Sequence, residues 1–277
     1  SNMCLLESMR MESQMVLKGV KALGYLMVLL LFGIISQSYY AVIILTWGSR
    51  FLHGSPVALT VVILFHLLLL MVVWSYFRAV LSGPGAVPET WRPPDPESTG
   101  IRLNFCEKCQ RWKPPRCEHC SLCQRCVLRM DHHCIWVGNC VGARNYKFFL
   151  LFVIYGFLEA LLVSLALLPS VVRKRNGHFW SSGSLLIVDL TFALSSSFVV
   201  CLLCFNAMHV SLVLGNATSL EIIERRGAIR WKYDVGRRKN VEQVLGSKMM
   251  LWFFPFFSKE DEENIPALLG LEFPSQS

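Results

Sequence analysis

Residues 22–47 read ALGYLMVLLLFGIISQSYYAVIILTW. No charged side chain interrupts the chain between Lys21 and Arg50. A bilayer helix needs only about 20 apolar residues, so this run is long enough to cross a membrane. Tyr39, Tyr40 and Trp47 gather toward its far end, as interfacial aromatics do. It is too long for the apolar core of a cleavable leader, and none is expected.

Three further runs follow. VALTVVILFHLLLLMVVWSYF, residues 57–77, lies between Arg50 and Arg78, with His66 read as a helix-packing residue. The third extends from Phe148 to about Val172 and is broken only by Glu159. The fourth extends from about Leu185 to Leu214, with Cys201 and Cys204 read as inert packing thiols. The chain of 277 residues is 53% hydrophobic, with its charges clustered, which suits a membrane protein better than a large soluble core. The organisation read is a tail (1–21), two spans (22–77), a linker and cysteine-rich segment (78–147), two more spans (148–214) and a charged C-terminal region (215–277). The fold class is an all-α polytopic membrane protein of four transmembrane helices with a zinc-binding cysteine-rich domain between helices 2 and 3.

Lysine and arginine set the orientation. Four spans put both tails and residues 78–147 on one side, which carries 23 of the 27 basic residues. That bias marks the cytosolic face. The net charge of +8 therefore faces a leaflet, and no nucleic-acid partner is expected.

Eight of the eleven cysteines lie between Cys106 and Cys140. They form an internal repeat. Cys106, Cys109, His119 and Cys126 make one series. Cys120, Cys123, His133 and Cys140 make a second with the same spacing, displaced by 14 residues. Each supplies three sulfurs and one imidazole, a closed tetrahedral set for a structural zinc ion. Two Zn²⁺ are expected, and metal binding should supply much of the folding free energy of a segment with few apolar residues. An assignment that spends Cys134 on zinc breaks the repeat. Cys117, His132 and Cys134 remain, and Cys117 reads as a small packing residue.

Cys134 follows His132 by two residues, with Asp131 before that. A thiol is a poor nucleophile near neutral pH until its thiolate is stabilised. An imidazole can take the proton, and a carboxylate can orient that imidazole. Asp131 either does this or caps a turn. NYKFFLLF, residues 145–152, opens the third span soon after the cluster, which puts Cys134 near the membrane surface. A thiol there can take a long acyl chain from a thioester and pass it to another thiol.

At DHHC, residues 131–134, with its flanking cysteines, the chain resembles the DHHC family of protein S-acyltransferases. The resemblance covers most of the chain. It implies autoacylation of Cys134 from palmitoyl-CoA, with Asp131 and His132 as activators, then transfer to membrane-proximal cysteines of protein substrates. It also implies the two Cys₃His zinc sites, an acyl cavity lined by Trp136, Phe149 and Phe152, and an endomembrane location (Golgi, ER or plasma membrane). The family's Thr-Thr-x-Glu is similar to Thr218–Glu221, TSLE, and its C-terminal segment to YDVGRRKNVEQVLG, residues 233–246, with Tyr233 and Asn240. Ile135 replaces the usual proline, and Gly83-Pro84-Gly85 the usual Asp-Pro-Gly. Ile135, the extra Cys117 and FLEALLV at 157–163 look similar to plant members. The rivals are a non-catalytic zinc-stapled scaffold and a transporter, the latter disfavoured because only Glu159 and Asp189 stand out within the spans. LWFFPFF, residues 251–257, is too short to cross and is expected at the interface.

Overall fold

The computed structural model describes residues 2–93, 104–175, 182–224 and 231–275. Among the described residues, four helices are long and apolar enough to cross a membrane: Lys18–Leu52, Pro56–Leu81, Tyr146–Arg173 and Gly183–Leu214. Residues 94–103 of the expected linker lie outside the described residues.

The first span belongs to α1 (Asn2–Tyr39), which continues through a π-helical stretch, Tyr40–Trp47, into α2 (Gly48–Leu52). The wider π turn brings the Ile43 carbonyl under Gly48, whose N–H donates to it. A Cβ there would collide with that oxygen, so only glycine fits. The Trp47 indole N–H donates to the Ala166 carbonyl at 3.0 Å and ties the far end of the first span to the third.

Ser55 caps α3 (Pro56–Leu81), accepting from the Ala58 N–H, with Pro56 in the first turn. The apolar run predicts an end near Phe77, yet the helix continues past Arg78 for another turn. Two asparagines explain this. Asn139 and Asn145 donate to the carbonyls of Ala79 and Ser82, and Asn139 also to Val80. Those carbonyls have no partner within a helix end. Arg78 stays at the membrane edge with its guanidinium 4.5 Å from the Phe148 ring centre.

The cysteine-rich segment forms three antiparallel hairpins: β1 (Phe105–Cys106) with β2 (Arg111–Trp112), β3 (Glu118–Cys120) with β4 (Arg125–Val127), and β5 (His132–Cys134) with β6 (Asn139–Val141). They rest on the chain leaving α3. Leu128 N–H donates to Gly85 O at 3.0 Å and Arg144 N–H to Pro84 O at 3.3 Å. A Cβ on Gly142 would meet Pro84 O at 2.7 Å, so the contact requires glycine. The Gly-Pro-Gly departure therefore still provides a docking edge.

α4 (Tyr146–Arg175) packs between α3 and α5 (Ser182–Leu214). One buried cluster, with Val137, Val141, Phe148, Phe149 and Val213, lies where the hairpins meet the helices. A second, with Val42, Phe65, Val163 and Leu167, holds the opposite end. α6 (Ser219–Glu224), α7 (Arg237–Leu245), a 3-10 turn (Met249–Leu251), α8 (Lys259–Asn264) and α9 (Pro266–Leu269) complete the C-terminal region. Asn240 donates to the Leu214 carbonyl at 2.7 Å and binds α7 to the end of α5. Residues 251–257 lie against the third and second spans: Tyr155 donates to the Phe253 carbonyl at 2.6 Å, and Phe256 stacks on Trp74.

His66 is exposed on α3, its Nδ1 satisfied by the Val62 carbonyl at 2.7 Å, and its ring meets that of Tyr39 on α1 edge-on at 5.6 Å, a contact between helices. Cys201 and Cys204 are both exposed rather than packed between helices. Cys201 lines a cavity between the spans. Cys117 is buried, and burial pushes its thiol up to about 12, which leaves it unreactive.

Candidate active site and metal centres

The three hairpins share one register. Cys106 pairs with Arg111, Cys120 with Arg125 and Cys134 with Asn139. One residue out, Phe105 pairs with Trp112, His119 with Cys126 and His133 with Cys140. Each turn uses a left-handed residue at the same place: Gln110, Gln124 and Gly138. The 14-residue period thus has three copies. Cys134 is the third copy of the knuckle cysteine, and Val137 stands where the first two copies carry Cys109 and Cys123. The repeat itself leaves this thiol without a second sulfur.

Two clusters have donor atoms that all lie within 4.8 Å of one another: Cys106, Cys109, His119 and Cys126, and Cys120, Cys123, His133 and Cys140. Each joins the knuckle of one hairpin to the registered His–Cys pair of the next. His119 Nδ1 lies 3.3–4.0 Å from its three sulfurs. His133 Nδ1 lies 3.4–3.7 Å from its three. A tetrahedral ion with Zn–S near 2.3 Å and Zn–N near 2.0 Å needs donors about 3.5–3.8 Å apart, so both sets fit zinc. Burial, with nearby cations, lowers both histidines, which favours the neutral ligand form. Burial and adjacent sulfurs push the Cys140 thiol up, a direction that a bound cation reverses.

His132 behaves oppositely to its neighbour. Its Nδ1 donates to Asp131 Oδ2 at 2.7 Å. Burial alone would lower it, but Asp131 and the Cys134 sulfur, both within hydrogen-bonding reach, raise it to about 9. With Nδ1 on the carboxylate, Nε2 is the ring nitrogen left to face the sulfur. Burial pushes Asp131 up, yet its hydrogen bonds to His132 and Ser219 prevail and hold it below the usual carboxylate range.

Asp131 is only 1% exposed, and α6 satisfies it from across the chain. Ser219 donates its N–H to Oδ1 at 2.9 Å and its hydroxyl to Oδ2 at 3.0 Å. The physical reason for TSLE is a capping box. Thr218 Oγ1 accepts from the Glu221 N–H at 3.2 Å, and Glu221 Oε2 accepts from the Thr218 N–H at 2.8 Å. Glu221 is also gripped by Arg116 at 2.6 and 2.8 Å. Asn216 accepts from both Arg116 and Arg129 through Oδ1. The cap therefore fixes the serine that fixes the carboxylate. A capping box was legible in TSLE, but the partner of its serine, 88 residues away, was not.

His132, Cys134, Trp136, Phe149 and Phe152 open onto one cavity of about 550 Å³ that continues between all four spans. Along α4 its wall carries Phe149, Phe152, Val153, Gly156 and Ala160, an apolar stripe at helical spacing. Glu159 also lines it, and its carboxyl oxygens meet no hydrogen-bond partner among the described residues. The cavity can hold a long hydrocarbon chain with its head at the Cys134 sulfur. Tyr76 anchors the backbone of the lining residue Trp136, donating to its carbonyl at 3.2 Å.

Residues 100–226 match the family model described as DHHC palmitoyltransferase. Probable protein S-acyltransferase 12 of Arabidopsis thaliana is 48% identical over 279 residues, covering 94% of this chain and 96% of that protein. Probable protein S-acyltransferase 14 of the same plant is 42% identical, covering 93% and 92%. Palmitoyltransferase ZDHHC2 of Homo sapiens is 32% identical over 253 residues, covering 77% and 67%.

Proposed function

This chain belongs to the DHHC palmitoyltransferase family, and from that premise we propose that it S-acylates proteins in two steps at Cys134, with palmitoyl-CoA as donor. It is a palmitoyl-transferring integral membrane protein with four spans. The observation that carries the residue assignment is the chain of contacts from Ser219 through Asp131 and His132 to Cys134 at the mouth of an apolar cavity.

In the first step the Cys134 sulfur attacks the thioester carbonyl of the donor. Its proton passes to His132 Nε2, whose cationic form Asp131 stabilises. The bond between carbonyl carbon and CoA sulfur breaks, and the proton leaves with the CoA thiol. In the second step the thiol of a protein substrate attacks the carbonyl of the acyl-Cys134 thioester. His132 takes that proton and returns it to the departing Cys134 sulfur. One thioester is exchanged for another in each step, and the two-step route needs no energy input. Trp136, Phe149 and Phe152 hold the acyl chain. The eight cysteine and histidine donors would hold two zinc ions, which staple the hairpins and take no part in either step.

The basic-residue asymmetry supports a cytosolic site and cytosolic tails, in an endomembrane: Golgi, ER or plasma membrane. Substrates are then proteins with cysteines close to the inner leaflet. The test is Cys134→Ser in the full chain. Loss of hydroxylamine-sensitive acyl incorporation with two zinc ions retained supports the assignment. Undiminished incorporation refutes it.

A further inference from the structure

His209 lies on α5, 0% exposed, beside the ring of His132 at a centroid distance of 6.0 Å. Neither the metal clusters nor the transfer steps use it. Its Nδ1 meets the Tyr146 hydroxyl at 2.9 Å, and its Nε2 has no partner among the described residues. A buried polar atom without a partner is costly, and phenylalanine would fill the same space without that cost. The surroundings are already aromatic: Phe205 at 4.5 Å and Phe149 at 5.3 Å pack edge-on against the His209 ring.

The need for something here follows from His132. A histidine χ2 has a broad, soft well, so the imidazole plane is not set by its own backbone. The bond from Nδ1 to Asp131 fixes one atom of the ring and leaves rotation about that contact. The Phe149 ring centre lies 5.0 Å from that of His132, and the His209 ring centre lies 6.0 Å away. His209 has a defined orientation because its hydrogen bond to Tyr146 joins α5 to the first residue of α4. Asp131 is thus held from α6 through Ser219, and the His132 ring is met from α5 by His209.

We propose that His209, oriented by the Tyr146 hydroxyl, is a positioning residue that holds the His132 imidazole in the plane that Cys134 requires. The proposal rests on the assignment of Cys134 as the acylated thiol. His209 touches neither donor nor acceptor and acts through His132.

The test compares Tyr146→Phe, His209→Phe and His209→Asn with the wild type, as full chains in nanodiscs. Two rates are read at Cys134 by mass spectrometry: single-turnover acylation by saturating palmitoyl-CoA, and alkylation by iodoacetamide, which needs no acyl cavity. Misplacement of a reacting group by a fraction of an ångström to 1 Å slows reactions by up to about 100-fold, so a loss of about tenfold is expected in both rates for His209→Phe and Tyr146→Phe. Half-saturation by palmitoyl-CoA and the zinc content stay unchanged. His209→Asn keeps an amide for the Tyr146 hydroxyl and recovers part of both rates. Wild-type rates in His209→Phe, or slower acylation with raised half-saturation and normal alkylation, would overturn the positioning role. A wild-type protein that carries no acyl group at Cys134 would instead refute the assignment of the site, so the two failures are distinguishable.

Discussion

Ser219 and Asp131 meet through two hydrogen bonds, one from the serine N–H at 2.9 Å and one from its hydroxyl at 3.0 Å, although 88 residues separate them. Both carboxylate oxygens are thus held before His132 is considered. The hydroxyl bond alone can be deleted. Ser219→Ala keeps the N–H contact and loses one charge-assisted bond, worth about 1.5–3 kcal/mol when fully expressed. Single-turnover acylation of Cys134 should slow by roughly tenfold, and Ser219→Thr should restore it. Equal rates for all three proteins would show that the backbone contact suffices.

Arg116 supports this arrangement from the other side. Its side chain is 1% exposed and that of Glu221 13%, and they form a two-pronged pair. Breaking a buried pair from one side strands the remaining charge, at a cost of about 3 kcal/mol or more. Arg116→Ala should lower the melting temperature by on the order of 10 °C, as followed by thiol-reactive dye in detergent. The double change Arg116→Met with Glu221→Leu should lose less than the single change. A single variant that melts like the wild type would contradict the pairing.

The ligand sets were legible in the sequence because metal geometry demands fixed spacing over short distances. The same period of 14 residues ran on into the third hairpin, but without a Cys-x-x-Cys pair to mark it. It is visible only through Cys134, Gly138 and the shared register. The helix ends do not coincide with the first charge beyond each apolar run. Arg78 and Lys147 both lie inside helices because asparagine side chains and backbone carbonyls supply partners beyond the last apolar residue. These contacts of Ser219, Asn216, Glu221 and His209 join residues 63–105 positions apart, and no periodicity encodes such pairings.

The two metal clusters differ in cover. Cys106 alone is buried in the first set, whereas Cys120 and Cys140 are both buried in the second. Access of a chelator should follow that order. The full chain should carry two zinc ions, and release to a chromogenic chelator should show two phases, the faster removed by Cys109→Ser. Structural zinc supplies on the order of 10 kcal/mol to a small domain, so complete removal should unfold the hairpins and abolish acylation. One zinc per chain, or release in a single phase, would contradict two unequal sites.

Lys147 makes the last prediction the most direct. It is the second residue of α4, 1% exposed, and its Nζ donates to the carbonyls of Leu245, Leu251 and Phe256 at 3.0, 2.9 and 2.7 Å. One cation thus gathers the end of α7 and both limbs of the aromatic loop onto the third span. The loop exposes Met249, Met250 and Phe253, and the Tyr155 hydroxyl also binds it to the third span through the Phe253 carbonyl. Lys147→Met preserves length and apolar bulk but leaves three carbonyls without their donor, each worth about 1 kcal/mol or more. Every 1.4 kcal/mol lost to local opening speeds amide exchange about tenfold. Deuterium uptake across residues 246–257 should therefore rise at least tenfold in the variant, while uptake in the hairpins and the zinc content stay as in the wild type. Unchanged protection of that loop would mean that lipid, rather than Lys147, holds it in place.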